Sequence, residues 1–413
     1  MRAMKHKFNT TSILCVGILG LAACSSDPVT SMNGGSNSDA GTNPAGNTDA
    51  GAMMIPDSGP PPPTGLAILG NYSHSLDQVQ LTVVADVSND INQPTDLEFH
   101  PDRPNEVWVT NQGTSTFWVG TDVGESFMQS NWLQGRGAHL HFLTKPTALA
   151  FGDQFCGNDR CFATSHGNVN DQPRTTGGAP TDFMGPSLWT SDTGDYSGSG
   201  PYHAAHYDML HNSPNGMGIA WDKGNAFWLF DGYHSSITRY DFHNDHGGGG
   251  SDHSDGEISR WVQGSVEMLE DVPSHLAFDQ TTGYLYIADS GNNRIALLDT
   301  KSGVRGANYN EDYDGISRGN GMYRMQATLS TFIEGSSVGL QKPSGMVLHD
   351  NHLFVSDHGT GTIYAFNLEG EMVDYLETFR GDGTVAGLNF DASGNLYFAD
   401  KTNEQIVRIS VKP

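Results

Sequence analysis

The sequence predicts an all-β fold, a six-bladed β-propeller built from four-stranded blades. Three observations support this prediction. A unit that begins with Pro or Gly in five of its six copies continues with a short apolar strand and adds a second strand that often ends in Asp. Apolar residues alternate with small or polar ones inside these strands, which is the period of a half-buried β-strand. The repeated region carries no apolar stripe of the kind that marks an amphipathic helix.

The clearest copy of the unit is the fourth, in which the strand starting at Pro273 is followed by the strand Tyr284–Asp289. A unit of this size cannot bury an apolar face alone, so successive copies must stack side by side. Their spacing of about 40 to 70 residues fits one blade with loops of variable length. A pair of β-sandwiches is the alternative, and the regularity of the copies disfavours it. The copies begin at Pro94, Pro146, Gly216, Pro273, Pro343 and Ala386.

The last copy is incomplete, because only three strands can be recognised before the chain ends at Pro413. The segment 78–84, with the sequence Gln-Val-Gln-Leu-Thr-Val-Val, precedes the first copy and has no blade of its own. We expect it to supply the fourth strand of the last blade. This pairing would close the ring and remove an exposed sheet edge.

Copy four also contains the segment Ala-Asp-Ser-Gly-Asn-Asn-Arg-Ile at 288–295. This segment resembles the NHL repeat, and copies five and six resemble it more loosely. The resemblance covers most of residues 90–413 and implies a six-bladed propeller. It implies little about activity, since NHL-like propellers include scaffolds, ligand binders, lyases and hydrolases.

The first 24 residues predict export. Three basic residues precede an apolar core at 13–21 that is too short to span a bilayer. The tetrapeptide Leu-Ala-Ala-Cys at 21–24 resembles a bacterial lipobox. This resemblance implies cleavage before Cys24, lipidation of Cys24 and, because no Asp follows it, release to the outer membrane. An ordinary signal peptide with a chance Cys is the alternative.

Residues 25–65 predict a disordered tether, because the stretch is rich in Gly, Ser, Asn, Asp, Ala and Pro and has almost no apolar content. The predicted organisation is therefore a lipoprotein signal peptide at 1–24, this tether, and a propeller at 66–413. We expect the N-terminal lipid to hold the protein at the membrane of the bacterial cell envelope.

The chain is strongly acidic, with a formal net charge of −26. Loss of residues 1–24 removes three basic residues and no acidic ones, which takes the charge to −29. This balance argues against nucleic acid as a partner and against docking on anionic lipid. It favours the binding of cations, Ca²⁺ above all, or simple solubility.

Four cysteines are present, and the signal and lipid predictions account for Cys15 and Cys24. Cys156 and Cys161 are separated by residues that predict a turn between the first two strands of copy two. In an oxidising compartment we expect these two to form a local disulfide. Redox chemistry or metal binding by the pair is the alternative.

Propeller geometry predicts which polar residues share a face. Strands A to D of a blade run from the axis outward, so the loops that enter strand A and leave strand B meet at one face, here called the top face. Carboxylates together with imidazoles suit a borderline divalent ion, whereas carboxylates and carbonyls alone suit Ca²⁺. Alternatively, an Asp that closes strand B, such as Asp289 or Asp400, only caps its own turn. The predicted top-face metal set is Asp96, His206, Asp208, His211, Asp231 and His275.

Two insertions between strands C and D are expected at the opposite, bottom face. The insertion at 243–256 places four consecutive Gly residues between two His/Asp clusters, which would let both clusters reach one ion. The insertion at 304–322 resembles the start of a Ca²⁺ loop, but Gly321 stands where an EF-hand has its bidentate Glu. A solvated loop is the alternative in each case. The second predicted metal set is His246, Asp252, His253, Asp255, Asp312 and Asp314.

The sequence favours a binding or scaffold module. It contains neither a His-Glu-x-x-His pair nor a phosphate-cradling Gly-rich loop. Its ligand stays open between a protein, a peptide and a small molecule. A divalent metal, Ca²⁺ or Zn²⁺, is the expected cofactor, and no organic cofactor is indicated.

A metal-dependent hydrolase or lyase, with its site at the mouth of the central channel, is the enzymatic alternative. The segment Gln-Pro-Thr-Asp at 93–96 resembles a blade start of the peptidylglycine amidating lyase, which is also a six-bladed NHL-like propeller. That enzyme's zinc pattern has Pro-His at several blade starts, whereas here only copy four has a nearby His, His275, one position late. Its zinc site therefore does not carry over. A channel Ca²⁺ of the lactonase kind would suit Asp96 and Asn111, although the flanking motifs differ.

Overall fold

The computed structural model describes residues 65–125, 129–133, 142–169, 183–196, 204–308, 313–317 and 319–413. These residues form six sheets, each containing the four antiparallel strands of one blade, so the fold is a six-bladed β-propeller as predicted. The predicted signal peptide, Cys24 and all but the end of the tether lie outside the described residues, as does Asp312. The described part of the chain contains no helix with the length and apolar character needed to cross a membrane.

The first strand, β1 (Val79–Ala85), precedes the first repeated unit, and blades one to three then follow the predicted copies. In each of these three blades the four strands lie in chain order from the axis outward. Blade one contains β2 (Pro94–His100), β3 (Arg103–Asn111), β4 (Thr116–Thr121) and β5 (Gln129–Leu133). Blade two contains β6 (Pro146–Cys156), β7 (Asp159–His166), β8 (Ser187–Thr190) and β9 (His206–Met209). Blade three contains β10 (Gly216–Lys223), β11 (Ala226–Asp231), β12 (Ser236–Asp241) and β13 (Glu257–Trp261).

Blades four to six repeat the pattern, with an insertion in blade four. Blade four contains β14 (Leu276–Asp279), β15 (Tyr284–Asp289), β16 (Arg294–Asp299) and β19 (Thr328–Glu334), and the insertion contains β17 (Val304–Asn308) and β18 (Gly321–Met325). A one-turn helix, α1 (Gly335–Val338), follows β19. Blade five contains β20 (Pro343–His349), β21 (His352–Asp357), β22 (Thr362–Asn367) and β23 (Met372–Glu377). Blade six contains β24 (Val385–Phe390), β25 (Leu396–Asp400) and β26 (Gln405–Val411), together with β1.

Two segments differ from their expected placement. The residues before copy three were expected to form a top-face connection, but His206–Met209 are β9, the outermost strand of blade two, with Asp208 opposite Leu188. The insertion of blade four does not stand alone at the bottom face. Its strand β18 pairs in parallel with β13, with Gly321 opposite Ile258, and so extends the sheet of blade three to six strands.

The hydrophobic core lies between adjacent blades, as stacking of incomplete units requires. Between blades one and two, the rings of Trp108, Phe117, Phe162 and Trp189 are fully buried. The ring centroids of Trp108 and Phe162 are 5.0 Å apart, and those of Phe117 and Phe162 are 5.1 Å apart. These separations are in the range of favourable aromatic pairs. Each blade is therefore stabilised chiefly by its two neighbours.

The ring is closed by the N-terminal strand, which confirms the prediction for 78–84. Strand β1 pairs antiparallel with β26, with Val79 opposite Val411 and Val83 opposite Val407. The side chain of Val79 is fully buried. The chain before β1 also contacts blade five, because the backbone N–H groups of Leu66 and Tyr72 both donate to the Asp374 carboxylate, at 2.8 and 3.2 Å.

The predicted disulfide joins Cys156, the last residue of β6, to Cys161 in β7. Both cysteines are fully buried, and their Cα atoms are 4.9 Å apart. The bond therefore pins the first hairpin of blade two. Because neither sulfur is a thiolate, the pair is not a metal ligand in this state.

We expect ring closure to depend on β1. A protein that starts at residue 66 should keep the melting temperature of the full domain, whereas one that starts at residue 91 should melt at least about 5 °C lower or aggregate, because the edge of β26 is then unpaired. Thermal unfolding followed by circular dichroism measures the difference. Equal melting temperatures for the two proteins would contradict the closure model.

The disulfide should stabilise the domain modestly. A bond with a sequence separation of 5 closes a short loop, for which the chain-entropy estimate is about 2 kcal/mol. A Cys156→Ala/Cys161→Ala variant should therefore fold and melt a few degrees lower than the parent. Peptide mapping without reductant should recover the linked pair. Two free thiols in protein purified from an oxidising compartment would show that the assignment is wrong.

Candidate functional site

The mouth of the central channel at the top face is a polar cup. It is built from the residues that enter strand A and leave strand B of several blades, as the propeller geometry predicts. One cavity of about 320 Å³ lies on the side of blades two and three, and another of about 430 Å³ lies on the side of blades five and six. Gln112 and Asp271 line both. The other polar lining residues include Gln93, Lys145, Asn168, Asn215, Glu270, His358, Lys401 and Glu404.

Lys401 crosses this mouth. It follows β25 of blade six, and its Nζ donates a hydrogen bond of 2.7 Å to the backbone carbonyl of Asp271, which lies between blades three and four. Because blades six and three stand opposite each other in a ring of six, the side chain spans the channel axis. Burial lowers the pKa of Lys401. The Asp271 carboxylate opposes this shift, whereas the charge of Lys145 adds to it.

His358 provides a neutral imidazole at the same mouth. It follows β21, lines the larger cavity and is almost fully buried. Burial lowers its pKa, and its Nδ1 donates to the Val385 carbonyl oxygen at 3.1 Å. The other ring nitrogen, Nε2, therefore carries the lone pair. Such a nitrogen can accept a hydrogen bond from a ligand or take up a proton.

Below the mouth, Asp96 and His275 meet at the axis. Each is the third residue of its inner segment, and His275 Nδ1 lies 3.5 Å from Asp96 Oδ1. The Asp96 carboxylate also accepts backbone N–H groups from Leu97 and Leu149, both at 2.9 Å, and His275 Nε2 donates to the Thr147 carbonyl at 3.2 Å. Burial raises the pKa of Asp96, although the charge of His275 opposes the shift. The pair links blades one, two and four.

The equivalent positions of three other blades are Gly, because the inner strands approach closely at this level. A Cβ on Gly218 would lie 2.1 Å from the Ser274 carbonyl oxygen, and one on Gly345 would lie 2.0 Å from that of Ala386. A Cβ on Gly387 would lie 2.3 Å from Asp96 Oδ1. The mouth is therefore a cup with a packed floor, and the floor is this layer of residues.

A second acidic residue lies in the channel below the floor. Glu98, two residues after Asp96 on β2, is half-buried and accepts a hydrogen bond from the Asn389 side chain. Burial raises its pKa well above the ordinary value, and the neighbouring Asp96 carboxylate adds to the effect. Sequence reasoning did not single out Glu98, although its period-two spacing from Asp96 predicts that both side chains face the axis.

The predicted top-face metal set is divided among three places. Asp96 and His275 meet at the axis. Asp231 lies at the corner of blade three, where its carboxylate accepts the Ser213 hydroxyl at 2.7 Å and the His234 N–H at 3.0 Å. The remaining members, His206, Asp208 and His211, lie on and just after β9, away from the axis. The prediction that all six residues meet at one rim is therefore not what the structure shows.

The structure instead joins members of both predicted sets. His253 Nδ1 donates to Asp208 Oδ1 at 2.7 Å, and the ring centroids of His246 and His253 are 5.1 Å apart. His211 Nδ1 bonds the Asp314 carboxylate. We call these residues, together with His206, the histidine cluster: His206, Asp208, His211, His246, His253 and Asp314.

Two further members of the second predicted set lie outside the histidine cluster. Asp252 accepts the Ser254 N–H and hydroxyl, and Asp255 accepts hydrogen bonds from the backbone and side chain of Asn244. Each carboxylate is thus bonded within its own loop. A Ca²⁺ loop requires several carboxylates to converge on one point. The described members of the set do not converge in this way.

The Asp residues that end strand B cap the turns that follow them, because their carboxylates accept hydrogen bonds from nearby N–H groups. Asp289 accepts the Glu267 N–H at 2.7 Å and the Arg294 Nε–H at 2.7 Å. Asp400 accepts the Asn403 N–H at 3.0 Å and bonds Arg380. Both carboxylates are fully buried. Their oxygens hold the turn after strand B and the loop that leads into the same blade in place.

A serine with the spacing of a nucleophile elbow is present and was missed by the sequence reasoning. Residues 335–339 read Gly-Ser-Ser-Val-Gly. The segment is α1, at the outer edge of blade four, and the Ser337 hydroxyl donates to the Glu334 carbonyl at 2.7 Å. A nucleophile elbow requires a serine on a strand-to-helix turn beside a base. Here Ser337 is the third residue of the one-turn helix that follows β19, and its hydroxyl donates to a backbone carbonyl rather than to a base.

The comparisons support the fold and do not assign a family. No family model and no curated protein matches the sequence. Among solved structures, a protein of unknown function from Bacteroides thetaiotaomicron is 10% identical, with a TM-score of 0.50, over 81% of this chain and 76% of that one. An auxiliary nutrient binding protein from the same species is 11% identical, with a TM-score of 0.49, over 78% of this chain and 69% of that one. Virginiamycin B lyase from Staphylococcus aureus is 10% identical, with a TM-score of 0.46, over 81% of this chain and 100% of that one. At these identities the likeness concerns the fold alone.

Proposed function

We propose that this protein is a ligand-binding propeller of the bacterial cell envelope, with its ligand in the cup at the top face. One observation carries the proposal: two cavities of about 320 and 430 Å³ share Gln112 and Asp271 above a packed floor. Concave sites with a few convergent polar groups are where proteins bind small molecules. A closed floor gives such a ligand a surface to rest on.

The lining of the cup favours a small polar ligand that carries a carboxylate. Lys145 and Lys401 supply positive charge, and the Gln93 and Gln112 amides supply both donors and acceptors. Carboxylates of the cup, including Glu404, would repel a polyanion and accept a ligand amine or hydroxyl. Amino acids, short peptides and sugar acids have this combination of groups.

The NHL-type interpretation of the blades is part of the proposal. Within the segment that resembles the NHL repeat, Asn292 and Arg294 both bond the Asp289 carboxylate. Arg294 also donates to the Ser265 carbonyl at 2.7 Å, which ties the turn to the loop that leads into blade four. These contacts give the motif a structural purpose in blade four, where it holds the turn after β15 to the loop before the blade.

An enzymatic function is the second candidate, and the His358 imidazole favours it. A neutral imidazole next to a lysine of lowered pKa can act as a general base. A hydrolase of the lactonase kind or a lyase would then act in the larger cavity. A metal at the axis would have to compete with the hydrogen bonds that Asp96 already makes, so the axis pair is a weaker candidate for this chemistry.

Ligand binding should depend on Lys401. We expect the untagged propeller, residues 66–413, to be stabilised by at least one carboxylate-bearing class in a panel of amino acids, tripeptides, sugar acids and neutral hexoses. A free ligand concentration of about 100 times Kd adds about 2.7 kcal/mol to the free energy of unfolding, which raises the melting temperature by a few degrees. The rise should disappear in Lys401→Met, because the ammonium that faces the ligand carboxylate is lost.

The matched control is Lys223→Met, an exposed lysine at the turn between β10 and β11 on the bottom face. It should keep the full effect of the ligand. The proposal would be overturned if no class raised the melting temperature, or if both variants responded alike. Mass spectrometry of each stabilising compound after incubation separates the two candidate functions, since a change in its mass would indicate catalysis.

We also propose that the mature protein is anchored through a lipid on Cys24. Cys24→Ser should abolish labelling with a radioactive fatty acid and move the protein from the membrane fraction to the soluble fraction, because the acylated thiol is gone. Cys15→Ser, in the apolar core of the signal, is the control and should remain labelled. Membrane retention of Cys24→Ser at the parental level would refute the anchor.

A further inference from the structure

The loop between β12 and β13 of blade three is laid across the outermost strand of blade two. The His246 N–H donates to the Tyr207 carbonyl at 3.1 Å, and the Gly249 N–H donates to the His206 carbonyl at 3.2 Å. Both acceptors belong to β9. The loop therefore extends blade two through backbone hydrogen bonds, and in doing so it brings His246 and His253 beside Asp208.

The glycines of this loop are required for that approach. Gly247 and Gly249 have positive φ values of 73° and 76°. A Cβ on Gly248 would lie 2.5 Å from the Ala204 carbonyl oxygen, and one on Gly256 would lie 2.5 Å from a Leu210 methyl group. The glycine run thus has a definite structural purpose, which is to let the loop reach β9 closely enough for its histidines to meet the strand.

Polar atoms at this junction are buried without partners. Asp208 is 1% exposed, and its Oδ1 accepts both the Met209 N–H and the His253 ring N–H, each at 2.7 Å. Its Oδ2 has no hydrogen-bond partner within the described residues, and the same is true of His246 Nε2. A buried carboxylate oxygen and a buried imidazole nitrogen are normally bonded, because neither can reach water.

The tautomer of His246 aims a lone pair into this space. Its Nδ1 donates to the Gly247 carbonyl at 2.7 Å, so Nε2 is the unprotonated nitrogen. One ligand atom each from Asp208, His246 and His253 lies within 4.8 Å of the other two. Ligands at about 2.1 Å from a tetrahedral ion stand about 3.4 Å apart, so small side-chain rotations complete the site.

We infer that Asp208, His246 and His253 bind one divalent transition-metal ion of the Zn²⁺ type between blades two and three. Two imidazole nitrogens and one carboxylate oxygen are the donors that such an ion prefers, whereas Ca²⁺ takes oxygen ligands. The ion would be coordinated by β9 on one side and by the loop of blade three on the other. It would therefore fasten the loop to the neighbouring blade.

The surroundings of the site are built to hold its ligands. The His206 and His246 ring centroids are 5.1 Å apart, and those of His211 and His253 are 6.3 Å apart. His211 is held by the Asp314 carboxylate, which also accepts the His211 backbone N–H at 2.8 Å. Asp314 comes from the insertion of blade four. The ion would thus act at a junction of three blades, which is a role separate from ligand binding at the top face.

Isothermal titration calorimetry tests the inference. Zn²⁺ is titrated into an untagged protein of residues 66–413 from which metal has been removed with a chelator. We expect one strong site per chain in the parent protein. His246→Ala and His253→Ala should each weaken Zn²⁺ binding by more than about 100-fold. Mutation of a residue that only hydrogen-bonds a metal ligand already lowers the metal affinity by about 10- to 100-fold, and loss of a ligand should cost more. His253→Cys, which restores a zinc ligand, should recover most of the affinity.

His243→Ala is the matched control, because His243 belongs to the same loop and its side chain is 44% exposed. It should bind Zn²⁺ as the parent does. Circular dichroism checks that every variant keeps the folded propeller. The inference would be overturned if the parent bound no Zn²⁺, if it bound only Ca²⁺, or if folded His246→Ala and His253→Ala variants kept the parental affinity.

Discussion

The close approach of the six inner strands at the axis is the constraint on which the rest of the structure depends. Where they meet, a Cβ on Gly218, Gly345 or Gly387 would clash with a neighbour. In the same layer, the Asp96 carboxylate lies against Gly387, and the hydrogen bonds of Asp96 and His275 reach across three blades. This layer turns the channel into a cup, so the top face has both a floor and a polar wall.

The two candidate sites use different physical devices. At the top face, the cup is lined by residues of the loops that enter strand A and leave strand B of several blades. At the junction of blades two and three, the polar atoms are buried and fixed by backbone pairing of the loop to β9. The first arrangement suits an exchangeable ligand, whereas the second suits a permanently held ion.

The repeat and its period-two alternation were sufficient to predict the six blades, the closing strand and the disulfide, because each depends on local patterns or on the need to pair an edge. The prediction that the top-face metal set meets at one place was wrong. Its segment His206–Met209 has the sequence of a polar loop, whereas in the structure it is a four-residue strand. Pairing with β8 outweighed its weak strand pattern. Lys401 was missed because its neighbour across the mouth, Asp271, is distant in sequence, and periodicity carries no information about such contacts.

Closure of the ring has a consequence for how the molecule is made. Strand β1 is synthesised before the six repeated units, and its partner β26 belongs to the last of them. The contact joins the two ends of the domain, so its loop-closure entropy is among the largest in the fold. Blade six therefore stays incomplete until β26 has been synthesised, and the order of synthesis opposes premature closure of the ring. For the export that our proposed lipid anchor on Cys24 implies, in which the chain crosses a membrane unfolded, this delay would keep the chain in a translocatable state.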